Sequence, residues 1–337
     1  TDMPRWRAFT GQSPDALLDR GWLQAIVPAD RGRVAALWRT AFSTATPYAA
    51  EFRIATSTGD ERVVLARCLP IIEQERVREW IGSTTDVTDQ RLAEHAAIAL
   101  ADTLQRSLLP PHLPQVPGFE LAARYRAGGE GLQVGGDFYD VFAVDPHTWV
   151  VVIGDVCGKG AAAASVTALA RYTVRAAAMH ESSAAGIAAV LNDALLRGER
   201  HAPFLTAVVA VLRLGAAAPV LELVCAGHPL PLLRRADRTV AELGRAGDLL
   251  GVFDTVDLPT RTVELAPGDV IVLYTDGVTE ARDATGAQYG ERALGTAIAG
   301  NDSVSVDALC DSIMAQVLSH RGSRSGDDVA LVALRCR

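Results

Sequence analysis

The chain has 337 residues, of which 49% are apolar and 21% charged, and its formal net charge at pH 7 is -8. This length suits about two domains, since a typical domain contains ~100 to 200 residues. The acidic balance argues against a nucleic-acid-binding protein, because no long Lys/Arg stripe is present to release counterions from phosphates. The Ala-rich segment 161–179 is interrupted by Arg171 and Arg175, so the sequence predicts no membrane span.

The pattern of cysteines and the N-terminal sequence predict the cellular compartment of the protein. The five cysteines are Cys68, Cys157, Cys225, Cys310 and Cys336. They form no CxxC pair, and their odd number and wide scatter favour a reducing compartment over a disulfide framework. No signal peptide is recognisable, so we predict a cytoplasmic protein with structural cysteines. Because the chain begins with Thr1 rather than Met, we expect it to be part of a longer protein.

The first part of the chain, residues 1–88, predicts a small α+β domain. The predicted helices are 14–18 and 30–42, and the predicted strands are 48–55, 62–70 and 76–83, with a hairpin turn at 57–60. The order of four short motifs resembles a PAS sensor domain that lacks its first strands. These motifs are Gly11-Gln12-Ser13-Pro14, Val27-Pro28-Ala29-Asp30-Arg31, Glu51-Phe52-Arg53 and Trp80-Ile81-Gly82-Ser83 with the residues that follow to Asp89. The resemblance implies an unknown small-molecule or protein signal. Cys68 lies in a strand-like segment beside Pro70 and outside an Asn-Cys-Arg-type motif, which disfavours a flavin.

Residues 89–111 are predicted to form a helical linker that begins near Thr88 and stops at Pro110-Pro111. An apolar residue recurs every four positions at Leu92, Ala96, Leu100, Leu104 and Leu108. These positions share one face of a helix. The face either packs on the neighbouring domain or forms the seam of a homodimer that passes a signal along the chain, and the sequence leaves both interpretations open.

Residues 112–337 are predicted to form a sandwich of two sheets with covering helices. The predicted strands are 119–125, 138–144, 149–156, 205–214, 220–226, 270–274 and 329–334, and the predicted helices are 161–179, 184–197, 291–299 and 306–320. Strands followed by paired helices exclude a doubly wound sheet.

Acidic residues accompany the apolar runs of this region. They are Asp155 after the run 150–153, Asp276 after the run 270–274, Asp137 in the cluster 135–140, and the pair Asp327-Asp328. Buried strands hold their ends rigidly. Bringing several carboxylates together beside an apolar core is costly unless cations neutralise them. The pattern therefore predicts a divalent metal site.

Six motifs from residue 104 onward resemble the metal-dependent Ser/Thr protein phosphatase (PPM) family, in its bacterial branch of sporulation and stress-sigma-factor regulators. They are Leu104-Gln105-Arg106-Ser107-Leu108-Leu109-Pro110, Val134-Gly135-Gly136-Asp137-Phe138-Tyr139-Asp140, Gly154-Asp155-Val156-Cys157-Gly158-Lys159-Gly160, Ala226-Gly227-His228-Pro229, Tyr274-Thr275-Asp276-Gly277-Val278-Thr279-Glu280-Ala281 and Gly326-Asp327-Asp328-Val329-Ala330. The resemblance implies an α+β fold class, with an α-β-β-α sandwich that binds two Mn²⁺ or Mg²⁺ ions at one end.

Carried over position by position, the resemblance assigns each ligand a role. Asp155 bridges the two metals, and the Val156 carbonyl binds one of them. Asp137 serves the second metal, directly or through water, while Asp276 and Asp327 complete the first. Asp328 orients Asp327 or a water, or exchanges roles with Asp327. Asp155, Asp137 and Asp276 are thereby also the candidate catalytic residues, because a pair of divalent ions activates water as the nucleophile.

Four further residues in this region have roles that the sequence leaves open. Lys159 either contacts the phosphoryl group or is an exposed loop lysine. His228 either acts as a general acid or is a loop histidine bonded to the backbone. Arg124 and Arg126 are candidate phosphate-binding residues only by their proximity to Asp137 in the sequence.

The sequence therefore predicts a cytoplasmic Ser/Thr protein phosphatase under the control of its PAS-like domain. By resemblance, the expected substrate is a phosphorylated anti-sigma-factor antagonist. Two alternatives stay open. A catalytically silent scaffold in a sigma-factor pathway would have lost metal carboxylates, and none is lost. A phosphohydrolase for small molecules would need a closed pocket, which the sequence neither exhibits nor excludes.

Overall fold

The structure is a computed structural model that describes residues 3–17, 19–74, 76–128, 135–197, 203–215, 218–301, 305–322 and 326–337. The chain divides into two compact units, Thr1–Ala97 and Ile98–Arg337. The helices are α1 (Pro4–Thr10), α2 (Pro14–Leu17), α3 (Pro28–Thr44), α4 (Thr88–Leu108), α5 (Ala161–Ala177), α6 (Ala184–Leu196), α7 (Asp276–Thr279), α8 (Gly290–Ala299) and α9 (Val306–Arg321), with a 3-10 helix at Gly21–Ala25. The strands are β1 (Tyr48–Ala55), β2 (Glu61–Glu73), β3 (Arg76–Asp86), β4 (Phe119–Arg126), β5 (Asp137–Asp145), β6 (Thr148–Val156), β7 (Leu205–Arg213), β8 (Val220–Ala226), β9 (Leu232–Arg234), β10 (Val240–Glu242), β11 (Ala246–Gly247), β12 (Arg261–Glu264), β13 (Val270–Tyr274) and β14 (Val329–Cys336).

The N-terminal unit is an antiparallel sheet in the order β1-β2-β3 with α3 against β1. Residues of β1 alternate between buried and more exposed positions, as expected for a strand with one covered face. Phe52 and Ile54 of β1 pack with Val64 of β2 and Val34 of α3 in the core of this unit. The three predicted strands and the predicted helix 30–42 are therefore present, the helix as α3. Helix α1 was not predicted.

The C-terminal unit is a sandwich of two sheets. One sheet has the order β10-β9-β13-β14-β4, and the other has the order β11-β8-β7-β6-β5 with β12 beside β8. Ile153, Val208 and Val332 belong to the core between the sheets. Helices α5 and α6 cover the outer face of the second sheet, and α8 and α9 cover the outer face of the first. The predicted α-β-β-α sandwich is confirmed.

The apolar runs of the sequence are explained by this layering. In β6, Val151 and Ile153 pack between the sheets, while Val150 and Val152 pack under the helices. Both faces of the strand are covered, so its residues are apolar in succession rather than in alternation.

One end of the sandwich collects the acidic segments. Asp155 near the end of β6 pairs in register with Asp137 at the start of β5. Strand β13 ends at Tyr274, immediately before Thr275 and Asp276, and it runs antiparallel to β14, which begins just after Asp328. The end of β13 and the start of β14 therefore lie at the same edge.

Several features differ from the prediction or lie beyond it. The strands β9 to β12, of two to four residues each, and the four-residue helix α7 were not predicted. The two compact units meet inside α4, and the predicted limits 1–88, 89–111 and 112–337 stay predictions. Leu18, Val134 and the side chains of Leu100 and Leu104 lie outside the described residues. Among the helices that the structure describes, none combines the length and apolarity that crossing a membrane requires.

Candidate active site

Asp137 and Asp155 form the centre of the acidic edge. They are register partners on neighbouring strands, and Asp137 is only 2% exposed. Gly136 explains how the chain passes so close to them. A Cβ atom at this position would lie 2.3 Å from the Val156 carbonyl oxygen and 2.6 Å from Asp155 Oδ1. Any side chain at position 136 would therefore cover both a predicted bridging carboxylate and a predicted carbonyl ligand.

Thr275 fixes the Asp137 carboxylate from the opposite sheet. Its hydroxyl donates a hydrogen bond of 2.6 Å to Asp137 Oδ2 and accepts one of 2.9 Å from the Ala330 amide. Thr275 is fully buried, so this bond is shielded from water. The bond joins β5 to the β13–β14 edge and so links the two sheets at the site.

Asp328 and Asp327 are held by backbone groups. The Gly128 amide donates to Asp328 Oδ1 at 2.7 Å, and the Asp328 amide donates to Asp327 Oδ1 at 3.0 Å. A Cβ atom at Gly135 would lie only 1.5 Å from Asp328 Oδ2, so this close approach of the two segments requires glycine. The Asp328 amide thus holds the Asp327 carboxylate, while the Asp328 carboxylate is held by the Gly128 amide.

The carboxylates raise one another's pKa values. Burial and the neighbouring Asp155 raise the pKa of Asp137 well above its usual range. Burial, followed by the charges of Asp276 and Asp327, raises the pKa of Asp155 to about 7. The pKa of Asp276 is raised by burial and by Asp327, and that of Asp328 is raised mainly by burial. The ionised form of this cluster is therefore disfavoured in the absence of added positive charge.

The donor chemistry fits hard divalent cations. The side chains are all carboxylates, and Mg²⁺ and Mn²⁺ prefer oxygen ligands. Within the described ranges, no three His, Cys, Asp or Glu side chains already converge as a preformed metal site. The residues present thus fit divalent ions by chemistry and charge, and the assignment of each ligand stays a prediction.

Lys159 lies against this cluster and is not a free loop lysine. Its Nζ atom is 2.8 Å from Asp327 Oδ1, and this hydrogen bond is the main cause that raises the pKa of Lys159. The loop that carries it turns through Gly158 and Gly160, whose φ angles are +104° and +87°. Both angles lie in the region that favours glycine.

His228 is a buried neutral residue rather than an accessible acid. Its Nδ1 lies 2.8 Å from the Thr206 hydroxyl, and burial lowers its pKa to about 3. Its Nε2 faces the backbone of Tyr274 without closing a regular hydrogen bond. Thr206 is the register partner of Asp155, so the bond between Thr206 and His228 lies next to the strand position of the predicted bridging carboxylate.

Arg124 is paired with two carboxylates of α9, and its candidate role in phosphate binding stays a prediction. It forms ion pairs with Asp311 at 2.6 Å and with Asp307 at 3.1 Å, both on α9. Arg126 is exposed at the end of β4, opposite Val329.

Thr275 and Gly128 are site residues that were not predicted from the sequence. Thr275 stands directly before Asp276 in a quoted motif, so the motif contained a signal for it. Gly128 contacts Asp328, which lies far along the chain, so its sequence neighbourhood gave no signal.

Two family profiles match the chain. The profile described as "Stage II sporulation protein E (SpoIIE)" matches residues 145–337, which is more than half of the chain. The profile described as "PAS fold" matches residues 3–84.

Two curated relatives are similar to the chain. It is 26% identical over 259 residues to Protein IcfG of Synechocystis sp., which covers 68% of the chain and 40% of IcfG. It is 27% identical over 240 residues to Phosphoserine phosphatase RsbU of Bacillus subtilis, which covers 71% of the chain and 69% of RsbU. The chain thus spans less than half of the length of IcfG.

A solved structure supports the same relationship. The RsbU and RsbW domains of Rv1364c from Mycobacterium tuberculosis match with a TM-score of 0.55 and 28% identity. The match covers 67% of this chain and 62% of that chain.

Proposed function

Because the chain belongs to the stage II sporulation protein E family and begins with a PAS-fold domain, we propose that it is a metal-dependent protein Ser/Thr phosphatase. Its curated relative RsbU is a phosphoserine phosphatase. The proposed substrate is phosphoserine or phosphothreonine on a regulatory protein, specifically an anti-sigma-factor antagonist. In its support, the solved relative contains an RsbU domain and an RsbW domain.

The observation that carries the proposal is the buried carboxylate cluster at one end of the sandwich, with the pKa of Asp155 raised to about 7. Two Mg²⁺ or Mn²⁺ ions would be held here by the predicted ligands, which are Asp137, Asp155, the Val156 carbonyl, Asp276, Asp327 and Asp328. Such ions neutralise charge on a phosphoryl group and favour the ionisation of water. Asp155, Asp137 and Asp276 are the proposed catalytic residues.

The surrounding residues prepare this site. Thr275 holds the Asp137 carboxylate in one orientation through its 2.6 Å hydrogen bond. Gly136 leaves the Val156 carbonyl uncovered, since a Cβ there would lie 2.3 Å from its oxygen. The edge is open to solvent at Asp327, whose side chain is 56% exposed. An open edge suits a phosphorylated side chain on a protein surface better than a small molecule that needs enclosure.

The scaffold alternative is less well supported. A catalytically silent domain would be expected to lose metal carboxylates, whereas all five aspartates of the predicted set are present. We therefore retain the enzyme as the proposal and treat the scaffold as an outcome of the test.

The regulatory part of the proposal concerns the rest of the chain. We propose that the PAS-fold domain receives an unidentified small-molecule or protein signal and passes it through α4, with homodimerisation along that helix. A ligand can shift activity only if it binds two states of the protein with different affinity. The proposed location is the cytoplasm, with neither nucleic acid nor membrane as a partner.

The first test is phosphate release from an aryl phosphate and from a phosphoserine protein, with Mn²⁺, with Mg²⁺ and with a chelator. Asp155→Ala is expected to lower turnover by about 1,000-fold, because the charge stabilisation from bound metal is worth several kcal/mol. Asp193→Ala removes an exposed carboxylate on α6 and is the matched control.

Metal-dependent turnover that Asp155→Ala abolishes and Asp193→Ala preserves would support the proposal. Turnover that resists the chelator would contradict it. The absence of turnover in every condition, with a folded protein, would favour the scaffold.

A further inference from the structure

Lys159 is the single lysine of the chain. The other 31 of its 32 Lys and Arg residues are arginine. It lies in the loop that joins β6 to α5, next to the carboxylate cluster. Lysine carries a compact charge with three rotatable donors on a flexible stem, whereas arginine presents a rigid planar fork. A lysine can therefore move its charge from one oxygen to another without a fixed geometry. The chain's only group of this kind is located at the proposed active site.

The ion pair of Lys159 places its ammonium group against Asp327, at the border of the carboxylate cluster. Its Nζ atom is 2.8 Å from Asp327 Oδ1. The charges of Asp328 and Asp155 add to the Asp327 hydrogen bond in raising the pKa of Lys159. The Lys159 side chain is 39% exposed, so it is in contact with solvent as well as with the cluster. The ammonium group thus lies where the open edge meets the carboxylates.

Lys159 and a divalent ion would compete for the Asp327 carboxylate. It is a predicted metal ligand, and an ion bound there would repel the ammonium group at short range. The displaced ammonium would keep its charge and its three donors. A phosphoryl group bound at the same edge presents anionic oxygens, which form strong charge-assisted hydrogen bonds.

Other nearby cations are less suited to this role. Arg124 is held by Asp307 and Asp311. Arg321 donates to the Asp327 backbone carbonyl at 3.3 Å, so its guanidinium is directed at the main chain. Lys159 has a side-chain partner that metal binding would remove.

We propose that Lys159 binds the phosphoryl group of the substrate, and that it rests on Asp327 until a divalent ion takes that carboxylate. This inference rests on the proposed phosphatase function. It adds the phosphate-binding side chain of the site and an order of events, in which the metal binds before the phosphoryl group. No covalent step is assigned to Lys159.

The single lysine makes a direct test possible in the full-length chain. Reductive methylation with ¹³C-formaldehyde would label Lys159 and the N-terminal amine only, and it keeps the positive charge of the lysine. Addition of Mg²⁺ is expected to shift the Lys159 methyl signal, and inorganic phosphate is expected to shift it again only when Mg²⁺ is present. The N-terminal signal is the internal control. A Lys159 signal that ignores phosphate in the presence of Mg²⁺ would overturn the proposal.

Variants separate phosphate binding from metal binding. Lys159→Met is expected to weaken inhibition by inorganic phosphate, and to raise KM for an aryl phosphate, by about 10- to 100-fold, the range for a hydrogen bond to a charged group. Its Mg²⁺ affinity by calorimetry should be unchanged or tighter, because a competing cation has been removed. Lys159→Arg should retain most of the phosphate affinity. Arg197→Met removes an exposed charge just after the end of α6 and should change nothing.

The outcomes distinguish this inference from the function on which it rests. Unchanged phosphate affinity in Lys159→Met would overturn the role of Lys159 even if the wild-type protein is an active phosphatase. A parallel loss of Mg²⁺ affinity would also overturn it, since Lys159 would then only support the metal ligands. A Mg²⁺-dependent phosphate shift without turnover would contradict the proposed function and support the phosphate site.

Discussion

Asp155 shows how burial and charge combine at a single residue. It is the register partner of Asp137, and the charges of Asp276 and Asp327 act on it in addition to its burial. The folded protein therefore favours the protonated carboxyl until a cation compensates the negative charge. The same balance that prepares the residue for a metal makes the metal-free site unfavourable near neutral pH.

The stability of the metal-free protein is expected to fall as pH rises. The pKa of Asp155 is raised from 3.8 to about 7, so between these values the folded state holds a proton that the unfolded state has released. Stability contributed by that proton is lost as pH rises through this window. The pKa values of Asp137, Asp276 and Asp328 are raised as well and act in the same direction. Thermal unfolding of the chelator-treated protein from about pH 5 to about pH 8 should show a falling Tm, and Mg²⁺ should raise Tm most at the higher pH.

Asp155→Asn tests the origin of this effect, because the amide cannot ionise. Without metal near pH 8, it is expected to raise Tm by ~2 to 8 °C, which corresponds to about 1 to 2 kcal/mol for a domain of this size. It should also abolish the stabilisation by Mg²⁺. Asp193→Asn, an exposed change on α6, should behave like the wild-type protein. A metal-free Asp155→Asn protein that is less stable than wild type would show that repulsion at Asp155 is not the dominant cost.

Residue types could be predicted from the sequence where they stand in local motifs, and contacts could not. The aspartates stand beside apolar strand-like runs, so their chemistry and their placement near strand ends were predictable. The contact between Lys159 and Asp327 joins two distant segments, and it depends on how the two sheets stack. Local spacing contains no information on that stacking. This is why the sequence left an exposed loop position open as an interpretation of Lys159.

At the scale of elements, one ionic network joins a strand and two helices. Asp140 of β5 has a side chain that is 1% exposed, and it accepts from Arg171 at 3.0 Å and from Arg175 at 2.8 Å, both on α5. Arg171 also donates at 2.6 Å to the carbonyl of Leu108, the last residue of α4. Because a helix leaves its last carbonyls without partners inside the helix, this bond caps α4. Asp137 lies on the same strand as Asp140, so the network supports the strand that carries a predicted metal ligand.

The network predicts unequal costs for its two arginines. Arg171→Met should destabilise the protein by about 3 kcal/mol, because it removes the more buried of the two partners of the Asp140 carboxylate and also uncaps α4. Arg175→Met should cost about 1 kcal/mol, because the Arg175 side chain is 42% exposed whereas that of Arg171 is 11% exposed. Urea unfolding of both variants measures the difference. Equal costs would show that the bond to Leu108 adds nothing to the network.

The elements that could be predicted from the sequence are the long ones and the strands with both faces buried. Strands β6 and β13 have both faces covered, so their apolar runs indicated them correctly. Strands β9 to β12 span two to four residues and exist through their pairing partners, which the local sequence does not specify. Helix α1 had local signals that were not used, namely Pro4 at its start and Gly11 at its end with a φ of +75°. The order of strands within each sheet could not be predicted from the hydrophobic pattern, because strand pairing joins segments that are distant in the sequence.

At the scale of the whole molecule, α4 connects the two compact units, whose boundary falls within it. Leu92 on this helix is 63% exposed, and Ala96, one turn later, is exposed as well. An exposed leucine is common and by itself indicates nothing. Its recurrence at four-residue spacing in the sequence is what supports the proposed dimer along α4.

Leu92→Glu tests that proposal in the full-length chain. A buried charge at a helix seam is strongly disfavoured, so the variant is expected to shift a dimer toward monomer, with a rise in Kd of at least ~10-fold, measured by analytical ultracentrifugation. Ala93→Glu adds the same charge at an exposed position next to the ridge and should leave the dimer intact. Deletion of residues 1–88 then separates assembly from control. If the deletion changes neither the phosphatase rate nor the oligomeric state, control by the PAS-fold domain is contradicted. If the rate changes while the dimer stays intact, the control lies in the domain itself rather than in dimer assembly.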